Sequence, residues 1–440
     1  MRSASIRTLH PRGFPYIIAN ETAERFSFYG MKGILVVFMT SSLVTATGGP
    51  DPMTESEATL WYHLFTMANY LFPLVGALIA DMLWGKYRTI VVLSLVYCFG
   101  HLALALDITR AGLAVGLLLI AIGSGGIKPC VSAHLGDQYR SSGNPRITEG
   151  FSLFYLAINL GAFLSSLLIP FILARYGPHV AFAVPGVFMA FATFVFWKGR
   201  TTFISLPPTS RREYVREIWS SEGRIQIGRL IILFSIVAVF WCLFDQTGSS
   251  WVLQAEHLDR SITLPFGVTF EILPAQLQAI NPLLILVFAP LFSSFFYPWL
   301  HARGWLSNRL KMLSGMLLAA LSFGTVAFAQ WLLLNGAHVS VLWQVAAYTL
   351  MTAAEVLISI TALEIAYTQA PKSSTSLVTA LFYIGVALGN AITALVTGTL
   401  EDVVGGPSST SFFVFFTLLA LLMSIPIGRC AHNLEHTTPR

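Results

Sequence analysis

Twelve apolar runs of membrane-crossing length, separated by short polar turns, leave this chain few folds to adopt. A helix needs about 20 consecutive residues to cross the hydrocarbon core of a bilayer, and inside that core its backbone polar groups must be satisfied within the segment. The runs fall near 14–43, 57–80, 88–107, 112–135, 149–173 and 178–197, then near 227–250, 274–299, 309–335, 341–366, 374–399 and 410–428. Between the sixth and seventh lies 198–226, the one long polar interruption, with Pro207, Pro208 and a charged run from Arg211 to Arg224. The sequence therefore predicts an all-α membrane protein with twelve transmembrane helices in two six-helix bundles. The first bundle is expected over 1–197, a cytoplasmic linker over 198–226, the second bundle over 227–432 and a cytoplasmic tail over 433–440.

Charge supports this reading and sets a direction. Only 11% of the residues are charged, against about 25% in a soluble domain. Of the 26 Lys and Arg, twenty fall in the termini and alternate loops on one side, whereas the other side holds Arg110, Arg175 and Arg260. By the positive-inside rule both termini are cytoplasmic, which suits a plasma membrane or a bacterial inner membrane. The net charge of +5 lies in these short loops and is no nucleic-acid signal. Cys98, Cys130, Cys242 and Cys430 form no CxxC pair and no metal-ligand spacing. No nucleophile–base pair or nucleotide motif stands out in the spans, so neither an enzyme nor a bound cofactor is expected. The first run also holds Glu21, Glu24 and Arg25, which the core of a cleavable signal peptide does not tolerate.

Ionisable groups at membrane depth are costly and face a protein interior or a watery cavity. Here they are Glu21, Glu24, Arg25, Lys32, His63, Lys128, Asp245 and Glu355. Glu21, Glu24, Arg25, Phe28 and Lys32 share one face of the first helix. Counting along each helix in its direction of travel sorts the charges into two layers. Glu21, Glu24, Arg25 and Lys128 form an inner group, Lys32, His63 and Asp245 an outer group, and Glu355 lies near mid-depth. Such layering suits two gates around a central site. In the outer layer Asp245 is expected to pair with Lys32 and with His63, closing the outside. Gly123, Gly125 and Gly126 should bring the fourth helix close to its neighbours, with a bend at Pro129. Asn281-Pro282 should open the backbone of the eighth.

Several stretches resemble a known family. Residues Gly76 to Arg88, reading GALIADMLWGKYR, resemble the loop motif of the major facilitator superfamily, in which an Asp caps a neighbouring helix and basic residues brace the closed inner face. Glu21 to Gly30, reading ETAERFSFYG, resembles the ExxERFxYYG signature of proton-coupled oligopeptide transporters, the POT or PTR family. Gly125 to Ser132 with Gly136-Asp137-Gln138, and Phe151 to Gly161, resemble that family's signatures in helices 4 and 5. Phe244 to Trp251, Gln278 to Asn281, and Glu355 extend the likeness into the second half.

The resemblance implies a major facilitator fold and proton-coupled symport of di- and tripeptides by alternating access. It implies that Glu21, Glu24 and Arg25 form the proton-coupling cluster, with Lys128 pairing across the inner cavity. Arg25 and Lys128 would also meet the peptide carboxylate, Asn159, Asn281 and Glu355 would hold the amino terminus, and Tyr29 would contact the peptide backbone. His63 matches a helix 2 histidine of mammalian members. Departures bear on selectivity: Phe28 replaces the first signature tyrosine, Lys32 stands where Arg is usual, and Phe382 sits where many members have tryptophan. The expected partners are a di- or tripeptide, protons and the surrounding bilayer, with no nucleic acid, and the protein is expected to be a monomer. The rival readings are the same scaffold carrying nitrate or a peptide-like metabolite, and a nutrient sensor that binds without transporting. Glu355 has no counterpart in a small inorganic anion, and the Glu21–Glu24–Arg25 cluster weighs against a mere sensor.

Overall fold

The computed structural model describes residues 9–142, 144–204, 221–263, 267, 269–304, 307–369 and 375–436. Most of the expected linker and the last four residues of the expected tail lie outside the described residues. Twelve long helices account for nearly everything else: α1 (Phe14–Ser41), α2 (Glu55–Trp84), α3 (Lys86–Leu106), α4 (Arg110–Ser142), α5 (Ile147–Tyr176), α6 (Pro178–Thr201), α7 (Arg224–Glu256), α8 (Pro274–Ala302), α9 (Asn308–Leu334), α10 (Leu342–Ala366), α11 (Thr379–Thr399) and α12 (Thr410–Leu434). Eleven of them are long and apolar enough to cross a membrane. The other, α1, is as long, but it carries the charged stripe of Glu21, Glu24, Arg25 and Lys32. With twelve passes the two termini share one end of the molecule, and the opposite end is called distal below.

Local chemistry sets where helices begin and stop. Thr54 caps α2 by accepting from the Glu57 amide at 3.1 Å, with Glu55 and Glu57 in the first turn, where carboxylates favour the helix dipole. Ser307 caps α9 in the same way through the Leu310 amide at 3.2 Å. Between α5 and α6 the chain reverses at Gly177, whose φ of +80° suits a residue without a side chain, and Pro178 opens α6. A small hairpin, β1 (Ser261–Thr263) with β2 (Thr269–Glu271), decorates the distal connection between α7 and α8.

Two separate apolar cores organise these helices. One draws on residues 14–196, among them Phe26, Phe38, Tyr97 and Phe182. The other draws on residues 230–434, among them Phe240, Phe323, Met351 and Phe412. Leu253, from the distal end of α7, packs into the first core and so wedges the second half against it. Within the first half α1 packs on α5 and α6, and α4 on α2 and α3; within the second, α9 packs on α10 and α12, and α7 on α11. The halves meet along two seams, α2 with α11 and α5 with α8. Large apolar side chains such as Val187 and Leu422 are about 70% exposed on the outer faces, as a lipid-facing surface requires.

The glycines of α4 make its tight packing possible. A Cβ on Gly76 of α2 would stand 2.4 Å from the Gly126 Cα, and one on Gly123 would stand 2.7 Å from the Leu93 carbonyl of α3. In lipid, where apolar side chains gain little from leaving their solvent, such backbone-to-backbone contact is a main source of helix association. Below it, Lys86 in the first turn of α3 reaches the Asp137 carboxylate of α4 at 2.5 Å. Lys86 thus ties this loop to α4 within the first half.

Candidate functional site

Midway along the seam between the halves is a cavity of about 190 Å³, lined from both sides. The first half contributes Tyr29, Lys32, Tyr62, Tyr70, Tyr155 and Asn159. The second contributes Trp241, Asp245, Gln278, Asn281, Tyr348 and Glu355. Glu355, on α10, accepts from the Asn281 side-chain amide of α8 at 2.7 Å, and the same amide lies 3.2 Å from the Thr352 hydroxyl. Asn159 lines the opposite wall, its amide donating to the Tyr155 carbonyl of its own helix at 2.9 Å. The cavity therefore offers two carboxylates, Glu355 flanked by an amide and Asp245 paired with the one ammonium, Lys32, and a largely aromatic lining with phenol hydroxyls.

On the distal side of this cavity the charges form a continuous buried chain. Lys32 of α1 donates to Asp245 Oδ1 at 2.8 Å. Asp245 Oδ2 accepts from the Asn390 amide of α11 at 2.8 Å, and Asn390 Oδ1 meets His63 Nδ1 of α2 at 2.8 Å. His63 Nε2 then meets the Ser249 hydroxyl of α7 at 2.9 Å. The proton positions follow from chemistry. An ionised carboxylate only accepts, so Asn390 must turn its NH₂ to Asp245 and its oxygen to His63. His63 therefore carries its proton on Nδ1, and when neutral it accepts the Ser249 hydroxyl proton at Nε2. The same contacts persist if His63 gains a second proton, because Ser249 then accepts instead. The expected meeting of Lys32, His63 and Asp245 occurs, but Asp245 and His63 meet through Asn390. His63 is fully buried and is not an interfacial residue.

Asp245 is available for this role because α7 loosens there. A 3-10 turn over Asp245–Gly248 interrupts the helix, which leaves carbonyls without their usual partners. Tyr348 restores one by donating to the Thr247 carbonyl at 2.9 Å. Further hydrogen bonds between the halves gather toward the distal end. Ser56 donates to Glu401 at 2.5 Å, Ser408 to Glu55, Gln278 to the Gly33 carbonyl at 2.9 Å and Gln276 to the Leu167 carbonyl at 2.8 Å. The distal mouth is therefore shut by polar contacts layered from the surface down to Lys32.

The α1 charges cluster, but Lys128 of α4 stands apart from them. Arg25 pairs with Glu24 at 2.5 Å and with Glu21 at 3.0 Å, all three being buried. Ser124 of α4 lies 3.5 Å from Glu24. Lys128 was expected to pair with these carboxylates, yet its ammonium sits between two rings, 4.3 Å from the Phe28 centroid and 4.4 Å from that of Tyr70. Among the described residues it makes no hydrogen bond. Arg25 already occupies both carboxylates, and a ring face holds a desolvated cation for about 2 kcal/mol or more. Phe28, which the sequence presents only as a lost hydroxyl, thus supplies half of the Lys128 site. Neither Arg25 nor Lys128 is among the residues that line the cavity; the cation that lines it is Lys32.

Asn390 and Ser249 were missed because neutral polar residues attract less notice than charges. The signal was a lone amide in the apolar run Val386–Thr399, where an unpaired NH₂ would be costly. Comparison with known proteins agrees with the fold. A POT family model matches residues 87–220 and 212–410. Peptide transporter family 1 of Drosophila melanogaster is 38% identical over 360 residues, 71% of this chain and 47% of that protein. Human solute carrier family 15 member 1 is 33% identical over 382 residues, 73% of this chain and 52% of that protein. The chain thus spans about half the length of the curated relatives it matches. Among solved structures, an auto-inhibited POT family peptide transporter superposes with a TM-score of 0.86 at 32% identity, covering 96% of this chain and 97% of that one. The POT family transporter PepTSo superposes at 0.85 with 33% identity, covering 97% and 99%. These relatives are transporters and not enzymes, and the shared architecture is that of the major facilitator superfamily, built here as an integral membrane protein. The chain belongs to the POT family.

Proposed function

We propose that this chain is a proton-driven symporter that imports di- and tripeptides by alternating access. The observation that carries the reading is the central cavity, with Glu355–Asn281 on one wall and the Lys32–Asp245 pair on the other, beneath a shut distal mouth. A zwitterionic peptide spans two such poles: its ammonium meets Glu355, with Asn281 and Asn159 alongside, Tyr29 meets its backbone, and its carboxylate approaches Lys32. In the arrangement seen here Lys128 reaches a peptide carboxylate only by leaving the rings of Phe28 and Tyr70. Arg25 reaches one only by loosening its hold on Glu21 and Glu24. Protonation of those carboxylates would free Arg25, which couples proton binding to peptide binding.

With both termini cytoplasmic, as the Lys and Arg distribution favours, the distal mouth faces outward, and this arrangement is shut to the outside of a plasma or bacterial inner membrane. The linker over 198–226 then joins two bundles that rock about the α2–α11 and α5–α8 seams, in a protein that works as a monomer. One charge crossing about 100 mV yields roughly 2.3 kcal/mol, which at 1.4 kcal/mol per decade supports roughly fifty-fold accumulation. One or a few protons per peptide suffice.

Binding of free and N-acetylated dipeptides to the purified protein tests the polarity of the site. Glu355→Gln should weaken free dipeptides by two to four decades, the cost of about 3–5 kcal/mol for breaking one side of a buried charge pair. N-acetylated analogues should change little. Equal losses for both would mean that Glu355 serves the protein and not the peptide.

A further inference from the structure

Where α5 of the first half meets α8 of the second, the outer surface carries an apolar groove of about 750 Å³. Phe163, Leu167 and Phe171 form one wall, and Leu273, Ile280 and Leu283 the other. A second groove, of about 790 Å³, lies on the opposite flank of the same ridge, against Phe26, Leu164, Phe188 and Phe191. Leu167, Phe171 and Gln276 line both, so the grooves straddle a single ridge of α5. Each falls within the range of about 300–1,000 Å³ usual for small-molecule sites. Neither shares a lining residue with the central cavity.

The first groove ends at a cation. Arg175 lines it one helical turn beyond Phe171, in the last turn of α5. The other two basic residues of the distal side are already neutralised, Arg110 by Asp51 and Glu57, and Arg260 by Glu271 at 2.6 Å. Glu271 also lines this groove, but its charge is held by Arg260. Arg175 is exposed, and among the described residues no carboxylate pairs with it. A guanidinium at the end of a membrane helix, beside the exposed Tyr176, stands at the level of lipid headgroups. Its planar fork suits a phosphate.

We propose that this double groove is a phospholipid site. One acyl chain lies on each side of the Leu167–Phe171 ridge, and the headgroup phosphate meets Arg175 in the distal leaflet. The first groove is built from both halves, and Gln276 of α8 donates to the Leu167 carbonyl of α5 across it at 2.8 Å. A lipid seated there touches both halves at once. It therefore favours the arrangement in which α5 and α8 stay together and the distal mouth is shut, by as much as its affinity differs between the two arrangements. The site would let membrane composition set the resting balance of the protein.

Native mass spectrometry of the detergent-purified protein, titrated with phosphatidylglycerol, tests this directly. Wild type should bind the lipid at low occupancy number and retain it at activation energies that strip detergent. Arg175→Gln should weaken binding about fivefold, the equivalent of about 1 kcal/mol for one basic residue at a charged lipid surface. Leu283→Trp, which fills the first groove from a lipid-exposed position, should weaken it as well, whereas Arg200→Gln at the opposite end should not. Inorganic phosphate at millimolar concentration should leave the bound lipid in place. Wild-type binding by both Arg175→Gln and Leu283→Trp, or displacement of the lipid by phosphate, would overturn the proposal.

Discussion

At the shut distal mouth Asn390 joins Asp245 to His63, and Asn390→Leu isolates what that bridge contributes. Leucine has the same branched heavy-atom skeleton as asparagine, with bulkier methyl groups in place of the amide, so the site against α2 and α7 stays filled while both hydrogen bonds vanish. Asp245 Oδ2 loses its 2.8 Å donor, and His63 Nδ1 loses its 2.8 Å acceptor. A hydrogen bond to a charged group contributes about 1.5–3 kcal/mol, and a buried N–H left unpaired costs about 1–3 kcal/mol. Lys32 still neutralises Asp245 at 2.8 Å, so the damage stops short of an isolated buried charge. Together these ranges span about 2.5–6 kcal/mol, and with Lys32 still in place the closed arrangement should lose the lower part of that span, about 3–4 kcal/mol. An opened mouth admits water to Asp245 and His63, so that arrangement loses little. At 1.4 kcal/mol per decade, the ratio of closed to open should fall by between two and three decades. Spin labels at Ala46 and Asp402, one on each half at the distal end, report this as a distance distribution when Cys98 and Cys430 are replaced by Ser. Asn390→Leu should shift population to a longer separation. An unchanged distribution would show that the Asn390 bridge is bystander packing and that the remaining contacts between the halves, Lys32 with Asp245 and the outer hydrogen bonds of Ser56 and Ser408 among them, hold the mouth.

Three further outcomes follow from the first half. Lys128→Ala should abolish proton-driven uptake while peptide counterflow partly survives, and Phe28→Leu, which removes one of the rings facing the Lys128 ammonium, should impair coupling far more than Phe28→Tyr; both are read as uptake with and without a pH gradient. Gly76→Val places a side chain where a Cβ already stands 2.4 Å from the Gly126 Cα, so overpacking of at least about 1–3 kcal/mol should lower the Tm in detergent, whereas Gly49→Ala in the exposed α1–α2 connection should not.

Hydropathy located every spanning helix but misjudged most of their lengths. Residues 112–135 read as the fourth span, whereas α4 runs Arg110–Ser142. Apolarity marks only the part of a helix within hydrocarbon, while the hydrogen-bond ladder continues through polar residues beyond it. α1 is the converse case. Its charges depress its apolarity, yet their 3- and 4-residue spacing marks one buried face, and Glu21, Glu24 and Arg25 do lie together. Direction of travel placed Lys32, His63 and Asp245 in one layer, since depth follows from counting along a helix. What such counting lacks is azimuth across the seam. Asn390 enters the chain from α11, and nothing in its neighbours announces that it faces α2. Lys128 shows a related limit. Charge complementarity points it to Glu21 and Glu24, but those carboxylates are already engaged by Arg25, and the rings of Phe28 and Tyr70 are indistinguishable in sequence from ordinary core aromatics.

The central claim is that a proton gradient drives peptides through the Glu355–Lys32 cavity, and uptake of a labelled dipeptide into proteoliposomes tests it most directly. Vesicles with an acidic exterior and a negative interior should accumulate the dipeptide well above its external concentration. A protonophore should collapse that accumulation to equilibrium, and unlabelled di- and tripeptides should compete where nitrate does not. Accumulation that is indifferent to the protonophore, or no dipeptide uptake beside robust nitrate uptake, would contradict the account.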